Sequence, residues 1–455
     1  MPSADDPVVA AASAAVGGPV GRHASVGHSW WGPVRVALAT ACVILGLGVI
    51  ADVPCRSDGW ESREDRSMWT GLCYSDVGFL YRERGFADGG VAYRDSLLEY
   101  PVLTGAVMQV SAILARALSD EAEVGGNGAS EPERTALNES VRFYDVTALL
   151  MGLAALVVVV ATARTVRRRP WDAMIVAASP MLLLTATINW DLLAVALTSL
   201  AILAWTRERP VTAGILVGLG AAAKLYPVLL LGPMLLVALR APNRARALAD
   251  YAATLGAAVL AWVAVNLPVY LWAPDGWREF LTFNRDRRAD FGSPWYAIEQ
   301  LWPGALPDRI DGLVVAGAVV LLALITWLAV EAPEPPRLAQ LAFLSVAAFL
   351  VVNKVWSPQY ALWLLPLAAL ARPRWRDLLI WQATEVVYFL AVWWHLATLY
   401  DPVHPLIGSR GYAAATALRI AGLAWLAAVV VRDVLRPEYD PVRPYLDLPP
   451  PSGAH

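Results

Sequence analysis

Two lysines stand apart in a chain that otherwise uses arginine for its basic side chains. Of 36 basic residues, only Lys224 and Lys354 are lysine. Each closes an apolar run, in Lys224-Leu-Tyr-Pro227 and in Asn353-Lys-Val-Trp-Ser-Pro-Gln-Tyr360. A lysine ammonium is a compact point charge that can meet a phosphate oxygen, but a helix-end lysine can also simply snorkel towards water. Both readings stand. Carboxylates occur in comparable settings. Asp76 lies in Cys73-Tyr-Ser-Asp-Val-Gly-Phe-Leu-Tyr81, among rings that seek a membrane interface. Glu99 precedes Tyr100-Pro101, and Asp191 ends Asn189-Trp190-Asp191.

One chemistry suits such a set. A carboxylate can take the proton of an attacking hydroxyl, so Asp76, with Glu99 in reserve, is the candidate general base. Lys224, Lys354, Arg285 and Arg287 can hold a phosphate and stabilise it as a leaving group. Tyr100, Asn189, Asp191, Tyr226, Asn353, Trp356, Gln359, Tyr360 and His395 offer rings and hydrogen-bonding groups to a sugar or isoprenoid surface. Plainer roles compete at several positions. Asp191 can be a helix cap, His395 part of an aromatic belt in Trp393-Trp-His395, and Arg285 to Arg288 a solvated run neutralised by Asp286. Glu385 reads as a buried structural carboxyl outside the site. The histidines are few and scattered and no Asp-x-Asp pair occurs in the first loop, so neither a metal nor a cofactor is expected.

The elements that must position these groups are membrane helices. Hydrophobic residues make up 57% of the 455 and charged residues 16%, against about 45–50% and about 25% in soluble domains. Apolar runs recur from Pro33 to Val431. The chain therefore reads as an all-α polytopic membrane protein. A net charge of −3, with the arginines in short clusters between apolar runs, argues against a nucleic-acid partner. Residues 1–32 lack the basic start of a signal peptide and read as a disordered cytoplasmic tail, and 432–455 as a Pro-rich one.

Arginine clusters mark cytoplasmic loops, here Arg164 to Arg169, Arg207 with Arg209, Arg240 to Arg246, Arg372 to Arg376, and Arg432 with Arg436. Spans near 33–51, 141–163, 171–188, 191–206, two legs within 211–239, 249–271, 312–330, 338–352, 359–371, 377–398 and 413–431 then alternate. They give about twelve crossings within 33–431, with both termini inside a plasma membrane. Each leg of 211–239 has about 14 residues, or about 21 Å, short of the about 30 Å core, and Pro227 breaks the helix at the turn. The apolar run 101–118 does not fit as a crossing. Crossing would put the acidic stretch 119–139 inside and Arg164 to Arg169 outside. It is expected to lie in the interface, which makes 52–140 one large extracytoplasmic loop and 272–311 the second. Every candidate group then falls at the outer face. Cys55 and Cys73 share the large loop, where a disulfide and two free thiols are both compatible with the sequence.

At this point the residues resemble a known family. Asp76 in a large first loop, Tyr100-Pro101 before an apolar helix, the Lys224-to-Pro227 turn, and Ser-Pro-Gln-Tyr leading into Trp-Leu-Leu-Pro (Ser357 to Pro366) are similar to the GT-C superfamily of membrane glycosyltransferases. The nearest likeness is to glycosyltransferase family 87, which includes actinobacterial polyprenyl-phosphomannose-dependent mannosyltransferases. The resemblance implies a GT-C fold with interfacial helices in the first loop, Asp76 as catalytic base, and a polyprenyl-phosphate sugar as donor to a lipid or envelope glycan. The chain departs from the family pattern where Val102 follows Tyr100-Pro101, where Ile188-Asn-Trp-Asp191 replaces a Gly-Gln-x-Asn turn, and in the acidic stretch 119–139. A lipid or polyprenol transporter and a non-catalytic envelope scaffold are the competing functions. Clustering of charge at one face, with no visible inverted repeat, weighs against transport.

Overall fold

The computed structural model describes residues 6–16, 30–57, 59–60, 66–119 and 130–446. Among them the chain is helical, with no strand beyond an isolated Ala92–Ser96 bridge. The N-terminal part holds α1 (Pro7–Val16), α2 (Pro33–Ala51), α3 (Val53–Arg56), α4 (Ser67–Thr70), α5 (Asp76–Glu83), α6 (Val102–Leu118) and α7 (Glu131–Thr165). Next come α8 (Met174–Ala177), α9 (Pro180–Thr185), α10 (Asp191–Thr206), α11 (Pro210–Ala223), α12 (Leu231–Arg240), α13 (Arg244–Trp272), α14 (Pro274–Asp286) and α15 (Pro294–Leu301). The chain ends with α16 (Asp311–Glu331), α17 (Leu338–Val352), α18 (Ala361–Ala371), α19 (Trp375–Tyr400) and α20 (Ser409–Leu435).

Five of these, α2, α7, α13, α16 and α20, are long and apolar enough to cross a membrane, so the chain is a polytopic helical membrane protein. The expected span 171–188 is not one helix. Residues 170–185 form three short helical pieces, because Ser179 caps a fresh start at Pro180. At the centre every residue of α18 is buried, as a helix apolar on all sides requires. Close approach of α11 and α13 depends on glycine. A Cβ at Gly214 or Gly218 would come within 2.1 or 2.2 Å of the Thr254 or Ala258 carbonyl oxygen.

α7 starts with a Ser130–Glu133 capping box and runs 35 residues, about 52 Å. It therefore extends well past an about 30 Å core. Its first turns take up Glu131 to Glu139 of the acidic stretch, while 120–129 lie outside the described residues. α6 packs along α7. The Thr104 hydroxyl at its start donates to the Ala223 carbonyl at 2.7 Å, and Gln109 further on accepts from the Ala92 amide at 2.7 Å. In the last turns the Arg116 guanidinium lies against Gly89.

Parts of the stretches expected as tails are structured among the described residues. Residues 7–16 form α1, and the buried Asp6 accepts from the Trp375 amide at 3.0 Å. Residues 436–446 pack under the bundle instead of trailing away. The reason is charge: the arginine clusters need carboxylates at close range, and the chain end supplies them. Asp440, fully enclosed, pairs with Arg337 at 2.7 Å, and Asp433 with Arg372 at 2.7 Å.

In the first loop Cys55 and Cys73 are joined as a disulfide, with Cα atoms 5.8 Å apart, which closes the alternative left open by the sequence. The Trp60 indole N–H donates to the Cys73 carbonyl at 3.1 Å beside it. Replacing both cysteines by serine is expected to destabilise the loop by about 2–4 kcal/mol. Faster tryptic cleavage within 52–100 at unchanged cleavage of the later helices would register the loss.

Candidate active site

Asp76 is placed by its neighbours. Ser75 caps α5 by accepting from the Val77 amide at 3.2 Å, and its hydroxyl donates to the Thr187 carbonyl at 2.7 Å. The Asp76 amide donates to the Ile188 carbonyl at 2.9 Å. These bonds stitch the first loop to the turn that starts α10. The Tyr74 hydroxyl donates to Asp76 Oδ1 at 2.5 Å. Behind Thr187, Asp52 accepts from the Thr187 hydroxyl at 2.6 Å and from the Tyr144 hydroxyl at 2.5 Å. Burial pushes the Asp52 carboxyl up to about 6, against the downward pull of those two bonds.

The same turn carries an ion pair. Asn189 Oδ1 accepts from the Asp191 amide at 3.0 Å, which fixes the first residue of α10. Asp191 Oδ1 meets Lys224 Nζ at 2.9 Å and also accepts from the Trp363 indole at 3.1 Å. Asp191 Oδ2 is buried with no hydrogen-bond partner among the described residues. The Lys224 ammonium lies 5.4 Å from the ring centres of both Tyr100 and Tyr360 and 5.9 Å from that of Trp363, within cation–π range. Tyr226 stacks on Trp363 at 4.4 Å, and Tyr360 at 3.9 Å. Tyr100 meets Trp190 edge-on at 5.3 Å. Burial drives the Tyr100 phenol well above its usual range, and the negative charge of Asp76 adds to the effect. Four segments far apart in sequence thus converge: Tyr74 to Asp76 with Tyr100, Asn189 to Asp191, Lys224 to Tyr226, and Tyr360 to Trp363.

The remaining candidates have other partners. Lys354, expected with Lys224 at one phosphate site, has its ammonium against Asp311 at 2.8 Å and the Arg285 carbonyl at 3.0 Å. Asp311 is the first residue of α16. Arg285 is mostly exposed and pairs with the adjacent Asp286 at 3.0 Å. Arg287 pairs with Asp290 at 2.5 Å, and lies close enough to Tyr360 and Tyr100 to interact with them electrostatically. Asn353 folds its own turn, donating to the Val355 carbonyl at 2.8 Å. Trp356 and Gln359 are buried. His395 stacks on Tyr412 at 4.4 Å, near Phe291 and Tyr296. Glu99 holds Arg84 in a two-pronged pair, both contacts 2.9 Å.

Sequence reasoning missed Arg419. Fully enclosed in α20, it pairs with Glu385 at 2.7 Å and donates to the Trp356 carbonyl at 2.5 Å and the Ser357 carbonyl at 3.2 Å. It therefore pins the turn that delivers Tyr360. An arginine and a glutamate, each alone in an apolar span, were the available signal. Arg419→Leu leaves Glu385 buried and unpaired, and is expected to cost about 3–5 kcal/mol. The Arg419→Leu/Glu385→Leu double variant should recover much of it, read as thermal unfolding in detergent.

Residues 140–353 match glycosyltransferase family 87. No curated protein matches the chain. The matched stretch contains Asn189, Asp191, Lys224, Tyr226, Arg285, Arg287 and Asn353, whereas Asp76, Tyr100 and Tyr360 join the cluster from outside it. The match, over just under half of the chain, together with the apolar spans supports a GT-C-like, family 87-type membrane glycosyltransferase.

Proposed function

We propose that the chain moves a sugar, mannose in preference, from a polyprenyl-phosphate donor to a lipid or cell-envelope glycan acceptor. The transfer takes place at the outer face of the plasma membrane. The observation that carries this reading is the Asp191–Lys224 pair, walled by Tyr100, Tyr360 and Trp363 and stitched to the turn holding Asp76. Lys224 has three N–H donors and gives one to Asp191, so others can reach a phosphate oxygen. Arg287 adds positive charge nearby. The buried Asp191 Oδ2 gains a partner when a donor-sugar hydroxyl bonds to it. Asn189 and Tyr226 hold this ion pair and its ring wall in place.

The acceptor hydroxyl attacks the anomeric carbon while the bond from that carbon to the phosphate oxygen breaks. The polyprenyl phosphate leaves with the electron pair, its charge met by Lys224 and Arg287. Asp76 takes the hydroxyl proton. The Tyr74 hydroxyl bonded to its Oδ1 orients the carboxylate for this step. A single displacement inverts the anomeric centre. Glu99, held on both oxygens by Arg84, suits loop structure better than proton transfer. The turn 353–360 contributes through Tyr360, with Asn353, Lys354, Trp356 and Gln359 fixing its shape.

The topology belonging to this reading has about twelve crossings, both termini cytoplasmic and 52–140 outside. The contacts of α6 at both ends with the first loop and the Lys224 turn support its lying along the outer face.

Asp76→Asn keeps the shape and removes the basic charge. Transfer from a radiolabelled polyprenyl-phosphate sugar to a membrane-lipid acceptor should fall by about 10²–10⁴-fold, with donor binding retained. Near-normal turnover in Asp76→Asn beside an inactive Glu99→Gln would move the base to Glu99.

A further inference from the structure

A second basic centre lies at the other end of the bundle. α10 carries Asp191 at its start and Trp205 in its last turn, so about 21 Å of helix separates the ion-pair site from a cavity of about 570 Å³. The ends of α7, α10 and α18 and the start of α17 surround this cavity. Its lining includes Arg167, Arg168, Arg207 and Arg337 and, among the described residues, no Asp or Glu. Ile202, Val237 and Leu370 give it an apolar floor, and Trp205 and Tyr445 are aromatic walls.

Several arginines at this end of the bundle are neutralised. Arg169 pairs with Asp172, Arg337 with Asp440, and Arg372 with Asp377 and Asp433. Arg167 and Arg168 have no carboxylate partner among the described residues, and Arg168 Nε is buried there without a hydrogen bond. Arg207 donates to the Arg164 carbonyl at 2.6 Å and meets no carboxylate among the described residues. The adjacent Glu208 faces Arg246, at 3.9 Å. Three uncompensated guanidinium groups over an apolar floor match an anion that carries a hydrocarbon tail.

We propose that this cavity is a binding site for the phosphodiester headgroup of an anionic membrane lipid, with Arg167, Arg168 and Arg207 as its ligands and an acyl chain on the Ile202–Val237–Leu370 floor. The site is separate from sugar transfer and does not depend on the reading of the Asp76 cluster. A free phosphate shares the headgroup chemistry but not the floor.

The test uses the full chain in nanodiscs of phosphatidylcholine, with or without phosphatidylglycerol. Native mass spectrometry of the released protein should show phosphatidylglycerol retained in preference to phosphatidylcholine. In the Arg167→Gln/Arg168→Gln/Arg207→Gln variant that preference should fall by about ten-fold or more. On wild-type protein, a phosphatidylglycerol with a photoactivatable headgroup should crosslink within 165–168 or 205–207, which needs no variant to fold. Equal retention of the two lipids, an unchanged preference in the variant, or crosslinks elsewhere would overturn the proposal. So would protection of the crosslinked segments by inorganic phosphate alone as effective as that by the lipid.

Discussion

The ion pair between Asp191 and Lys224 is the contact around which one end of this protein is arranged. Both groups sit at helix ends, and neither helix alone could keep them from water. Burying a carboxylate and an ammonium costs several kcal/mol per ion unless geometry and hydrogen bonds repay it. Here the return comes from a 2.9 Å contact, the Trp363 indole and three flanking rings. Those partners belong to α11, α10, the first loop and α18, so the pair can exist only when all four are in register. Leaving Asp191 Oδ2 unpartnered keeps one unmet demand within the cluster, and such a demand is what a polar substrate can satisfy.

The supports behind the pair follow the same physics. Arg419 and Glu385 are wholly enclosed, and their charges are neutralised against each other, against indole and against turn carbonyls. At the opposite end, arginines are held by Asp172, Asp377, Asp433 and Asp440. The protein thus uses paired charge to fasten its helices at both ends. Arg167, Arg168 and Arg207 at one end and one Asp191 oxygen at the other are among the groups left without a countercharge or hydrogen bond among the described residues.

Much of this was legible in the sequence, and the reasons differ by level. Helical class followed from apolar runs, since a backbone in lipid must satisfy its own hydrogen bonds. The cluster was legible in part because Asp76, Asn189, Asp191, Lys224 and Tyr360 each sit at a break in an apolar run, where a polar side chain meets the interface. The partner of Lys354 was not legible: its turn resembles that of Lys224, and the carboxylate on its ammonium, Asp311, lies 43 residues away in sequence. Pairing over such separations carries no periodic signal. Arg419 and Glu385 were missed as a pair for the same reason, as was the docking of the C-terminal tail by Asp440. The Cys55–Cys73 bond depended on loop closure that spacing alone does not fix.

The most direct test of the account is a structure of the full chain bound to a non-hydrolysable polyprenyl-phosphate sugar analogue, determined by cryo-electron microscopy in nanodiscs. The account predicts the phosphate within hydrogen-bond reach of Lys224 Nζ, a sugar hydroxyl on Asp191 Oδ2, and the anomeric carbon facing the Asp76 carboxylate. A phosphate bound away from Lys224, with the Asp191–Lys224–Trp363 cluster closed and unaltered, would contradict it.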